Sequence, residues 1–174
     1  FGTAVDHQEL RRIAQGDTTL EIVNGITDWP GTNKTRARPE LDLQPLTEAE
    51  TDTLAVLVER GLREGAVAVG FGIEYTPGAT HSEILRMFEL AAHHGAPAHV
   101  HVRNFDETRE WGELYEVLAG ALRWGGGLHI KHLHAFYGSY TAQALAFIER
   151  GREHGLAITT ECYPYTAGST FIDS

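Results

Sequence analysis

Two short stretches hold most of the side chains able to do chemistry. One is His129-Ile130-Lys131-His132-Leu133-His134, the other His99-Val100-His101-Val102-Arg103. Each is an apolar-spaced run that turns polar towards its C-terminal end, the pattern of a buried parallel strand with a functional end. Neighbouring parallel strands lie about 4.8 Å apart, so His101 and His132 can converge on one ion. Neutral imidazole is a favoured ligand for zinc and similar metals. The alternative is a pair of buried histidines bonded to backbone, but two on one face are hard to satisfy without an ion or water. Strand alternation puts Leu128, Ile130, His132 and His134 on one face and His129 on the other, where it reads as structural. His99 lies one step deeper than His101 and reads as an interior or supporting residue. His134, one step further out than His132, is a candidate substrate contact. Arg103 extends the His101 face, where its guanidinium could clamp a substrate carboxylate or pair with Asp106 or Glu107. Tyr75 and Tyr163 follow their predicted strands directly and could shape a pocket rim, and Ser169 could donate to a carboxylate. Cys162 points away from Tyr163 and reads as an inert buried thiol.

The elements that must position these residues recur about every thirty residues as helix–strand units. Thr47-x-x-Glu50 is a capping-box signature, followed by Leu54, Leu57, Val58 and Leu62 on one helical face and a stop at Gly65. Residues 66–73 read as a strand, with Val67, Val69, Phe71 and Ile73 facing helices and Ala68, Gly70 and Gly72 facing a crowded barrel interior. Thr80-x-x-Glu83 opens a second helix with Ile84, Leu85, Phe88 and Ala91 inward. Residues 97–103 form the next strand. A helix over 106–124 carries Leu114, Val117, Leu118 and Leu122. The strand over 128–134 follows, then a helix over 141–154 with Ala144, Leu145, Phe147 and Ile148, then a strand over 156–163. Alternating helices and strands imply a parallel sheet, either doubly wound or a (β/α)8 TIM barrel. No glycine-rich dinucleotide fingerprint follows a strand, since Gly70-Phe71-Gly72 lies inside one, and this favours the barrel. Residues 46–174 hold these repeats. Residues 1–45 are less regular: a short helix over 8–14, a strand over 19–23 and a long surface loop over 24–45.

The 174 residues suffice for one core, and the composition is that of an ordinary soluble globular chain. A formal charge of −10 argues against a nucleic-acid partner. No apolar run approaches the ~18 residues of a membrane span. The single cysteine excludes an internal disulfide and points to a reducing, cytoplasmic compartment. The absent initiator Met and the abrupt end at Ser174 suggest a piece of a longer chain.

Four runs together resemble the N-acyl-D-amino-acid deacylases (D-aminoacylases) of the amidohydrolase superfamily. They are Gly65 to Ala79, His101-Val102-Arg103, Ile130-Lys131-His132, and Tyr163-Pro164-Tyr165-Thr166-Ala167-Gly168-Ser169-Thr170. The likeness spans residues 46–174 in order and spacing. It implies part of a metal-dependent (β/α)8 barrel that hydrolyses the amide of a small-molecule N-acyl-D-amino acid. In that family His101 and His132 would bind zinc, and Tyr75, Arg103, Tyr163 and Ser169 would contact substrate. Water activated by the metal would attack a carbonyl that the metal polarises. The family's first-strand His-x-His, its bridging Cys or Glu and its general-base Asp have no counterpart here and are expected outside this chain. Where the family commonly has a lysine, this chain has His134. Two alternatives remain: an amidohydrolase acting on another C–N bond such as a cyclic amide, and a non-catalytic barrel segment.

Overall fold

The computed structural model describes residues 2–17, 22–23, 26–27, 39–103 and 111–165. Strand β1 (Ala4–Asp6) leads into helix α1 (His7–Ala14), whose N-cap Asp6 accepts from the Glu9 amide at 3.1 Å. Strands β2 (Ile22–Val23) and β3 (Ile26–Thr27) form a small antiparallel pair. A one-turn helix, α2 (Pro39–Asp42), lies in the expected loop region, and helix α3 (Glu48–Arg63) follows it. Then come β4 (Ala68–Gly72), α4 (His81–His93), β5 (Ala98–His101), α5 (Gly112–Trp124), β6 (Leu128–Ile130), α6 (Leu133–Tyr137), α7 (Thr141–Glu153) and β7 (Ile158–Thr160).

Among the described residues, β1, β4, β5, β6 and β7 form one parallel sheet in that order. β1 was not anticipated from sequence, because three residues are too few to show a period. The expected loop over 24–45 is thus interrupted by β3 and α2; the rest of it lies largely outside the described residues, as do residues 19–21 of the expected strand and 106–110 of the expected third helix.

The Thr47 capping box forms in full: the Thr47 hydroxyl accepts from the Glu50 amide, and Glu50 Oε2 accepts from the Thr47 amide at 2.7 Å. The Thr80 box forms only by half. Thr80 accepts from the Glu83 amide at 3.2 Å, but the Glu83 carboxylate turns inward. There it accepts from His7 Nε2 at 2.9 Å and from Arg11 Nε at 3.0 Å, all three side chains being buried. The Arg11 Nη1 also donates to the Leu41 carbonyl at 2.7 Å, so one buried arginine ties α1, α2 and α4 together.

The core lies between the outer sheet face and the helices. Val69, Phe71 and Ile73 point into it as expected, but Val67 is 55% exposed, because the strand proper begins one residue later. On α5 and α7, Leu122, Leu145 and Phe147 are exposed, contrary to the expected stripes, while Ala144 and Ile148 are buried as expected and Gly120 and Ala121 also face the core. Small residues let α5 approach α4 closely. A Cβ on Gly120 would stand 2.5 Å from Phe88 Cδ1. Phe88 is itself held against Phe71, with ring centroids 5.2 Å apart. Gly120→Ala should therefore destabilise the protein by about 1–3 kcal/mol, overriding the better helix propensity of alanine. Urea unfolding would read this; a gain in stability would show that the helices can part.

Candidate active site

The site is built at the C-terminal ends of β4, β5 and β6, where barrels of this type carry their functional groups. After β4 the chain turns through a 3-10 segment, Ile73–Tyr75. A Cβ on Gly72 would come within 3.2 Å of the Tyr75 ring, so glycine there lets that ring fold back over the sheet edge. Tyr75 lies against His101, the last residue of β5, with ring centroids 4.9 Å apart. His101 Nε2 donates to Glu74 Oε2.

His132 reaches His101 by a route that strand alternation does not provide. β6 stops at Ile130, whose side chain is fully buried under the helices. Continued alternation would bury His132 on that same side. Instead His132 adopts a left-handed conformation, φ 34° and ψ 49°, and caps α6. This conformation costs a non-glycine residue of order 1–2 kcal/mol. It swings the imidazole over the sheet edge, 4.5 Å from the His101 ring between centroids. Phe136 of α6 supports both rings, at 4.7 Å from His101 and 5.3 Å from His132. Burial, then the nearby His101, pushes the His132 pKa below its ordinary value, which favours the neutral form that can donate a lone pair.

His134 is on α6 and not on a strand, again contrary to expectation. Its ring meets Tyr163 edge-on at 4.2 Å, and Tyr163 lies 6.1 Å from His132. Both ring nitrogens of His134 are buried and have no hydrogen-bond partner among the described residues. His129, expected on the opposite face, is the ladder partner of His99, and the two rings are 4.9 Å apart. His129 Nδ1 pairs with the Thr159 hydroxyl at 2.8 Å. His99 has its pKa lowered by burial, then by His129.

Arg103 is held by Glu116 of α5. Its Nε and Nη2 donate to the two carboxylate oxygens at 2.9 and 3.0 Å, and Nη2 donates also to the Ala79 carbonyl at 2.6 Å. His81 pairs through Nδ1 with the same carboxylate at 2.7 Å. Cys162 is exposed, not buried, because β7 ends at Thr160. Ser169, Asp106 and Glu107 lie outside the described residues. Sequence reasoning passed over Glu74, Phe136 and Glu116. Glu74 carried a signal, standing two residues after the last residue of a strand. Glu116 carried none, since a helical glutamate ordinarily faces solvent.

The donor chemistry suits a zinc-like ion: two imidazoles from adjacent strand ends, their rings in contact. Among the described residues no group of three or more His, Cys, Asp and Glu side chains converges to hold an ion. A catalytic zinc takes about three protein ligands, so this pair fits as part of a site.

No family model matches the chain. It is 33% identical over 117 residues to an N-acyl-D-glutamate deacylase of Alcaligenes xylosoxydans xylosoxydans, covering 64% of this chain and 24% of that protein. A crystal structure of a D-aminoacylase, described as defining a novel subset of amidohydrolases, superposes with a TM-score of 0.63 at 24% identity. The chain is similar to the D-aminoacylases in fold. The superposition covers 72% of this chain and 27% of the D-aminoacylase, so the amidohydrolase-type barrel is present here in part. A second D-aminoacylase structure, concerned with that enzyme's binuclear metal centre, matches at 23% identity with the same TM-score. The chain spans about a quarter of the length of these relatives.

Proposed function

We propose that this chain forms the β4–β7 part of a zinc-dependent hydrolase that cleaves the amide bond of N-acyl-D-amino acids. The observation that carries this reading is the contact of His101 with His132, made through a strained left-handed residue. Strain of this kind persists where the surroundings impose it, and it clusters at functional sites. The similarity to an N-acyl-D-glutamate deacylase and to D-aminoacylases supplies the substrate class. A zinc ion held there would polarise the amide carbonyl and render a water nucleophilic near neutral pH.

The chain's own residues bind and orient. His101 and His132 hold the metal. Tyr75 and Tyr163 flank these rings and shape the walls of the pocket. His134, with buried and unpartnered ring nitrogens, offers a polar contact to substrate. Arg103 faces the substrate carboxylate, its orientation set by Glu116; Ser169 is the remaining contact. The general-base aspartate comes from outside this chain, and the single cysteine supports a cytoplasmic setting.

Arg103→Lys tests the carboxylate contact. Lysine keeps the charge but cannot hold Glu116 and a carboxylate in a fork. KM for an N-acetyl-D-amino acid should rise about tenfold or more, with zinc content unchanged, since charge-assisted hydrogen bonds are worth roughly 1.5–3 kcal/mol. An unchanged KM would make Arg103 a purely structural partner of Glu116.

A second reading is a barrel segment that does no chemistry alone. It is favoured by the lack of a third converging ligand among the described residues. It predicts that the whole protein binds no stoichiometric zinc through His101 and His132.

A further inference from the structure

We propose that Glu74 is the positioning carboxylate of His101, selecting the imidazole tautomer that leaves Nδ1 free to bind the metal. The inference rests on His101 and His132 being metal ligands. An ionised carboxylate only accepts hydrogen bonds. The contact of Glu74 Oε2 with His101 Nε2 therefore places a proton on Nε2. In the neutral imidazole, the form that binds a metal, the lone pair is then on Nδ1, the atom left for an ion. The ring is also gripped on its faces and edge, by Tyr75 at 4.9 Å, His132 at 4.5 Å and Phe136 at 4.7 Å, so it cannot turn freely to present its other nitrogen.

Glu74 suits this role by its place in the chain. The 3-10 turn after β4 carries it back over the end of β5, the neighbouring strand, where Gly72 pairs with His101 in the ladder. Its side chain is 29% exposed and that of His101 is 14% exposed, so water competes poorly for the bond. Carboxylates that accept from a ligating histidine raise its basicity and fix its orientation, and losing one typically costs 10–100-fold in metal affinity. Glu74 is not itself placed as a ligand: it joins no converging group of three among the described residues.

The test uses the whole protein that the gene encodes, titrated with zinc against a chromophoric chelator, in the natural form and as Glu74→Leu, Glu74→Gln and His101→Ala. Glu74→Leu should weaken zinc binding by about 10- to 100-fold, and Glu74→Gln, which keeps an acceptor for Nε2–H, by clearly less. Long-range nitrogen–proton NMR of the metal-free natural protein should show His101 protonated at Nε2. Glu74→Leu binding zinc as tightly as the natural protein, while His101→Ala loses it, overturns the proposal. So does a His101 protonated at Nδ1, a result that needs no variant to fold. Glu74→Gln losing zinc as fully as His101→Ala would overturn it too, by making Glu74 a ligand. If His101→Ala retains its zinc, the metal reading of the site fails instead, and the NMR result still decides the tautomer.

Discussion

His132→Ala should strip the protein of its zinc and lower turnover of N-acetyl-D-amino acids by more than about a hundredfold. That bound is conservative, because removing a mere supporting partner of a ligand already costs 10–100-fold. The substitution deletes an imidazole whose pKa is lowered by burial and by His101, and which therefore stands ready as a neutral donor. It leaves the strain of a left-handed backbone at φ 34° in place, since alanine is no better suited to it than histidine. His132→Gly separates the two effects. Glycine accepts the conformation freely but donates nothing, so its variant should fold at least as stably and be equally inactive. Metal content by elemental analysis and thermal melts on both variants provide the check. Zinc retained by either variant would remove His132 from the metal site.

The second large effect is on stability and lies away from the site. Glu83→Leu should destabilise the protein by roughly 3–5 kcal/mol, the usual cost of breaking a buried ion pair from one side. Glu83 is 2% exposed and accepts from both His7 and Arg11, each fully buried, so its loss strands the arginine without a counter-charge. For a chain of this size the melting temperature should fall by about 10 °C. The proposed ligands His101 and His132 are untouched, so zinc content per folded molecule should hold. A melting temperature lowered by less than about 2 °C would mean that water or the neighbouring carbonyls already neutralise Arg11.

Much of the architecture was legible because it rests on local periodicity. The capping box at Thr47, the apolar stripe of Leu54, Val58 and Leu62, and the alternation of Val69 and Phe71 all follow from the pitch of a helix or strand, and all recur in the structure. The pairing of His101 with His132 was legible too, but by an argument that the backbone does not follow. Strict alternation along 128–134 keeps His132 with Ile130 on the helix-covered face; the structure separates them, because β6 ends early and His132 turns left-handed, while His129 follows alternation onto the face of His99. A sequence shows where alternation is possible, not where a strand stops.

The residues alone determine a repeating helix–strand chain with imidazoles, an arginine and tyrosines gathered at the strand ends, because side-chain direction along regular elements depends only on spacing. Tertiary structure alone decides which of them meet. Glu74 on His101, Glu116 on Arg103 and Glu83 on Arg11 are partners separated by 27, 13 and 72 positions. Those pairings depend on how strands register and how closely helices approach, and no local pattern encodes either.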